Sequence, residues 1–232
     1  MELNEQLIQA ITKTVVEQLR ANGTQFNAAQ SGNAYAKSAP ADTHSLEGKT
    51  RMRPKRSYAG SVRAKKGTDP KEVVIGVGAA FQREITMTIG GIPLDEVLNN
   101  VKAGIEEEGM TFRVVKMLDT ADVCMMGLQA AKLSGSGIGV GIQSKGTAVI
   151  HQKDLYPLSN LELFPQAPLM TRETYREIGK NAAKYVKGEM VRPVKCTNDP
   201  MTRAKYQVKA ALMHIIETEQ LEPELGMIEW EG

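Results

Sequence analysis

The chain has 232 residues, 41% of them hydrophobic, 24% charged and 5% aromatic, with a formal net charge of +2. That length fits one sizeable domain with appendages or two small domains, and the composition is that of a soluble globular protein. Near-balanced charge argues against a dedicated polyanion binder, scarce aromatics against a base-stacking platform, and two cysteines without C-x-x-C against a disulfide framework or a cysteine zinc site.

No run reaches the roughly 18 apolar residues that span a membrane. Glu2 and Glu5 stand where a secretory signal carries basic residues. Reduced thiols at Cys124 and Cys196, in a cytoplasmic setting, are the expectation.

In chain order, "MELNEQLIQAITKTVVEQLR" places Leu3, Leu7, Ile8, Ile11, Val15 and Leu19 at helical spacing, and Gly23 stops the pattern. This predicts an amphipathic helix over 1–20. Its apolar stripe suits either a docking helix within a complex or a targeting helix. Residues 21–48 read as a flexible linker. From Lys49 to Lys66 come eight basic residues and no acidic one, a stretch expected to be loosely ordered or to lie on a partner, so 21–71 is a partly basic linker.

The folded body is expected from Glu72 to 218. "EVVIGVG" predicts a buried strand and "IPLDEVLNNVKAGIEEEG" a helix, with Pro93 near its first turn and Gly109 past its end. "FRVVKML" predicts a second strand, "ADVCMMGL" a third and "GTAVIH" another. "TRETYREIGKNAAKYVKG" predicts a helix with Thr171 as N-cap and Gly188 as stop. "MTRAKYQVKAALMHIIETE" predicts the last helix. Residues 219–232 read as an acidic tail. The alternation predicts an α/β fold: a Rossmann-like, mostly parallel sheet flanked by helices, with the N-terminal helix on its linker.

The run "LSGSGIGVGIQSKG" (133–146) carries five glycines and ends on a lysine. The order Lys145-Gly146-Thr147 does not meet the phosphate-binding loop G-x-x-x-x-G-K-[ST], and G-x-G-x-x-G is missing here. The turn "GVGAAF" after the first strand is a near-miss with Phe81 in the third glycine slot. In an extended chain Gly135, Gly137, Gly139 and Gly141 share one face. That bare face admits either close packing within the fold or a flat ligand or partner. Lys145 suits an anion, an amide oxygen or solvent. His44, His151 and His214 fall into no metal-binding spacing, and no nucleophile elbow surrounds Ser134 or Ser136. Any chemistry is therefore expected on a partner, with neither a catalytic residue nor a metal ligand in this chain.

"KLSGSGIGVGIQSKGTAVIHQ" (132–152), "LYPLSNLELFPQAPL" (155–169), "YREIGKNAAKY" (175–185) and "AGIEEEG" (103–109) together carry a resemblance. They are similar to the medium subunit of adenosylcobalamin-dependent diol dehydratase, with glycerol dehydratase as a close relative. The likeness covers 72–216 and, more loosely, the N-terminal helix.

The resemblance implies a lyase complex in which a large subunit converts 1,2-propanediol to propionaldehyde and water by radical chemistry. This chain would cover the nucleotide-loop side of base-on cobalamin, and the sequence lacks the D-x-H-x-x-G of histidine-on cobalamin proteins. A small subunit completes the protomer, two protomers pair, and residues 1–20 recruit the enzyme into a bacterial microcompartment shell. Lys145 would reach corrin amides or the tail phosphate. Gln143 and Ser144 would add neutral hydrogen bonds, and Asp122, at a strand start, would accept from a corrin amide. Pro165 and Gln166 would line the tail pocket, with Arg203 as a second cation. The alternatives are a glycerol dehydratase subunit, a non-catalytic scaffold and a phosphate-binding α/β protein. No nucleic acid or membrane is implied.

Overall fold

The computed structural model describes Lys55 and residues 57–231; the expected helix at 1–20 and the linker at 21–48 lie outside the described residues. The described chain builds β1 (Glu72–Val77), α1 (Leu94–Glu107), β2 (Thr111–Met117), α2 (Val123–Leu133), β3 (Ile138–Ile142), β4 (Ala148–Gln152), β5 (Glu162–Phe164), α3 (Arg172–Lys187), α4 (Pro200–Glu219) and β6 (Met227–Glu229). The sheet order is β5-β4-β3-β1-β2-β6.

This is an α/β fold. The central strands β3, β1 and β2 run parallel, and β4, β5 and β6 add antiparallel flanks. The turn from β3 to β4 spans only 143–147, too short for a parallel crossover, so β4 must return antiparallel.

Strand periodicity distributes the core. Val73, Ile75 and Val77 join Leu94, Val97, Val101, Tyr175 and Ile178 on the face covered by α1 and α3. Val74, Val115 and Met117 join Met126, Ala130 and Leu133 of α2 on the other. The crossover after β1 thus covers one face and the crossover after β2 the other. This leaves a switch-point crevice at the carboxyl ends of β1 and β3.

α3 has the expected caps. The Thr171 hydroxyl accepts from Thr174 N, and Gly188 ends the helix at φ +69°. Pro93 precedes α1, and Gly109 follows it at φ +74°.

Three expectations are corrected. "ADVCMMGL" forms the start of α2, not a strand: the Asp122 carboxylate caps it, accepting from Met125 N at 2.9 Å, and the Met, Leu, Gln and Ala that follow are good helix formers. The helix is apolar on most sides because it is largely buried, so it shows no polar face in sequence.

Second, 219–232 is not an appended acidic tail. It supplies β6, Glu222 is buried and accepts from Tyr58 N, and Glu229 pairs with Arg113 at 2.7 Å. Third, residues 57–66 of the basic stretch are part of the fold: Ala64 N donates to Met227 O and Glu229 N to Val62 O, extending the ladder beyond β6. Backbone ladder bonds, with Glu222 accepting from Tyr58 N, join the two segments, a pairing that neither composition reveals alone.

Lys116 of β2 is fully buried. Its Nζ donates to Phe81 O at 2.6 Å and lies 4.4 Å from the Trp230 ring centroid. Burial, with the Arg83 charge second, pulls its pKa down to about 7. Between about pH 7 and the ordinary lysine range, the unfolded chain therefore holds a proton that the folded chain has released. Stability is expected to rise with pH across that window and to level off below about pH 7, where both states hold the proton. Lys116→Met should flatten this slope in denaturant titrations; an unchanged slope would remove Lys116 as its source.

Candidate functional site

The turn after β3 is the centre of the site. Gln143 N donates to Thr147 O and Gly146 N to Gln143 O, closing a tight loop in which Gly146 sits at φ +101°. A side chain at that φ is strained, so glycine is needed there. The turn is clamped from outside as well. Tyr175 Oη donates to Gly146 O at 2.8 Å, and Ile89 N donates to Lys145 O at 2.9 Å.

Two cavities meet at this turn. One of about 440 Å³ is walled by Lys145, Pro165, Gln166, Arg203, Tyr206 and Gln207. A second, of about 490 Å³, is walled by Asp119, Asp122, Gln143, Lys145, His214 and Thr218. Lys145 belongs to both. α4 lies along both, because Arg203, Gln207, Ala210, His214 and Thr218 repeat at helical spacing on one of its faces.

Of the residues expected from sequence, Lys145, Pro165, Gln166 and Arg203 share the first cavity, and Asp122, Gln143 and Lys145 the second. Asp122 sits at the N-terminus of α2, not at a strand start, with Oδ1 engaged as the cap. The Gln166 amide is occupied at both ends by the Asp199 backbone, so it shapes the wall. Ser144 is fully buried, lines neither cavity, and gives its backbone N–H to Glu217. Tyr206 and Gln207 were not expected at the site, and His214 was considered only as a metal ligand. The signal for them was their spacing from Arg203 on the predicted last helix.

The polar groups are unevenly satisfied. Gln143 is buried, and its Nε2 donates to Ala121 O, while its Oε1 has no partner among the described residues. An orphaned buried acceptor is costly unless something donates to it. Burial, opposed by the Glu217 charge, pulls the Lys145 pKa down. No ion pair to Lys145 or Arg203 occurs among the described residues. Two cations, an open carbonyl acceptor and a nearby carboxylate suit a ligand that carries both amide groups and an anion.

Of the two readings of the glycine run, the structure shows close packing within the fold for Gly139 and Gly141, whose bare face turns to α2 and lines neither cavity. A Cβ on Gly139 would come within 2.6 Å of the Ala130 carbonyl carbon, and one on Gly141 within 2.7 Å of Gly127 N. The glycines seat α2 on the sheet. Among the described residues no group of three or more His, Cys, Asp or Glu is placed to hold a metal, and no helix is long and apolar enough to cross a membrane.

The family model described as dehydratase medium subunit matches residues 74–192, just over half of the chain. The chain belongs to the dehydratase medium subunit family. A medium subunit implies partner subunits in a dehydratase complex. The match spans β1 through α3 and includes the Gln143–Gly146 turn, but stops short of α4 and β6.

Two solved structures also show similarity. A glycerol dehydratase reactivase is 17% identical, over 53% of this chain and 96% of that one, with a TM-score of 0.43. A diol dehydratase-reactivating factor complexed with ADP and Mg2+ is 24% identical, over 53% and 98%, with a TM-score of 0.39. At these scores the likeness says nothing about what this medium subunit binds.

Proposed function

We propose that the chain is the medium subunit of an adenosylcobalamin-dependent diol dehydratase and that its paired cavities receive the nucleotide-loop side of base-on cobalamin. The observation that carries this is the junction at Lys145: one half-buried cation between two cavities, beside the unpaired buried Oε1 of Gln143. Cobalamin carries primary amides that would donate to Gln143 and a phosphate that would accept from Lys145 or Arg203. Asp122 would add an acceptor for an amide, and Pro165 and Gln166 a shaped wall. Ser144 would act through its backbone.

When bound, the cofactor supplies the radical chemistry that removes water from a vicinal diol such as 1,2-propanediol. This chain binds and orients it and offers no reacting group. Large and small subunits would complete a heterotrimer, and two heterotrimers would pair. Residues 1–20 would address the complex to a microcompartment shell.

The test is reconstitution. Large and small subunits with adenosylcobalamin should turn over 1,2-propanediol only when this chain is added, and the chain alone should be inactive. Equal turnover without it would sink the reading. Deleting residues 1–20 should spare activity in solution.

A further inference from the structure

The switch-point crevice, where folds of this type expose backbone amides to ligands, holds a side chain of the protein's own last helix. Glu217 of α4 is 2% exposed and sits over the carboxyl ends of β1 and β3. Its Oε1 accepts from Ala80 N, in the turn after β1, at 3.4 Å; its Oε2 accepts from Ser144 N, in the turn after β3, at 3.1 Å. The carboxylate fits because position 78 is glycine: a Cβ there would lie within 2.6 Å of Glu217 Cδ. Gly78 N in turn donates to Ile142 O at 3.0 Å, so the two turns meet beneath the carboxylate.

A helix that needs only to be anchored is held by apolar residues, as Met213 is one turn earlier. A buried carboxylate is a costly anchor, and burial pushes the Glu217 pKa up. What it adds is specific to its shape. A carboxylate gives each of two N–H donors, on two different loops, an oxygen of its own. Glutamine offers one oxygen and leucine none. The Ser144 peptide also adjoins Lys145, whose carbonyl is held from the other side by Ile89 N.

We propose that Glu217 is a positioning residue: through the Ser144 amide it fixes the turn that presents Lys145 to both cavities, and through the Ala80 amide it ties that turn to β1. This rests on the reading of Lys145 as a cofactor-binding cation. α4 then has two tasks, walling the cavities with one face and setting the position of the cation opposite with Glu217. The conformation of the turn and the docking of α4 become a single event.

The test is a double-mutant cycle in the complex assembled with its large and small subunits, read by the Kd for adenosylcobalamin and by amide hydrogen exchange. Glu217→Gln should weaken binding by about tenfold and speed exchange in 142–147, while β1 keeps its protection. In the Lys145→Ala background Glu217→Gln should cost no more than about a further twofold, because its effect runs through the same ammonium. Losses that multiply, or an unchanged Kd for Glu217→Gln beside a weakened Lys145→Ala, overturn the positioning role and leave the site intact. An unchanged Kd for Lys145→Ala sinks the site reading itself. Glu217→Asp keeps the carboxylate and should fall between wild type and Glu217→Gln. If neither Glu217 variant assembles, the carboxylate is structural and the proposal fails.

Discussion

Gly139→Ala is expected to destabilise the fold by about 3 kcal/mol, at the upper end for an inserted methyl, because the group it meets is main chain. The new Cβ would lie on Ala131 N and within 2.6 Å of the Ala130 carbonyl carbon, so α2 must lift from β3 as a unit. At roughly 2–4 °C per kcal/mol for a domain of this size, the midpoint should fall by about 6–12 °C. Gly188→Ala is the control. Its φ is +69° but no atom lies within 4 Å of its Cβ, so only the left-handed backbone resists, at about 1 kcal/mol. Equal costs for the two, in thermal or denaturant unfolding, would mean that α2 is not seated on the bare face of β3.

Lys145→Ala is expected to weaken adenosylcobalamin binding to the assembled complex by roughly 10- to 150-fold. That is the worth of one charge-assisted hydrogen bond at about 1.5–3 kcal/mol, converted to a binding constant. Assembly should be unaffected, because the turn is held by backbone contacts to Ile89, Tyr175 and Glu217 rather than by the ammonium. Burial has lowered the Lys145 pKa, so the charge is lost at a lower pH than an ordinary lysine would allow. Retention should therefore decline earlier on the alkaline side in wild type, and that decline should vanish in Lys145→Ala. Unchanged affinity across pH would remove Lys145 from the site.

Much of the site was legible as residues but not as geometry. Lys145, Pro165, Gln166 and Arg203 stand far apart in sequence, and only the packing of α4 against the β3–β4 turn gathers them round one cavity. Asp122 was singled out, yet its capping of α2 depends on reading a helix where the apolar run suggests a strand. Glu217 escaped notice for a plain reason. A carboxylate in a polar-looking helix is expected in solvent, and its burial follows from Gly78 and from two backbone donors in other turns.

The sequence alone determined what neighbours in the chain decide. Caps at Thr171 and Gly188, the proline and glycine that bracket α1, and the buried run of β1 each follow from contacts within a few residues. The alternation of those elements then settled the fold class. Tertiary structure decided which way the glycine face turns, where the acidic end of the chain goes, and what holds the lysine turn. In each case the partner is distant: α2 for the glycines, Arg113 and residues 57–66 for β6, and for Ser144 a carboxylate 73 residues later. A local pattern carries no information about a partner brought near only by folding.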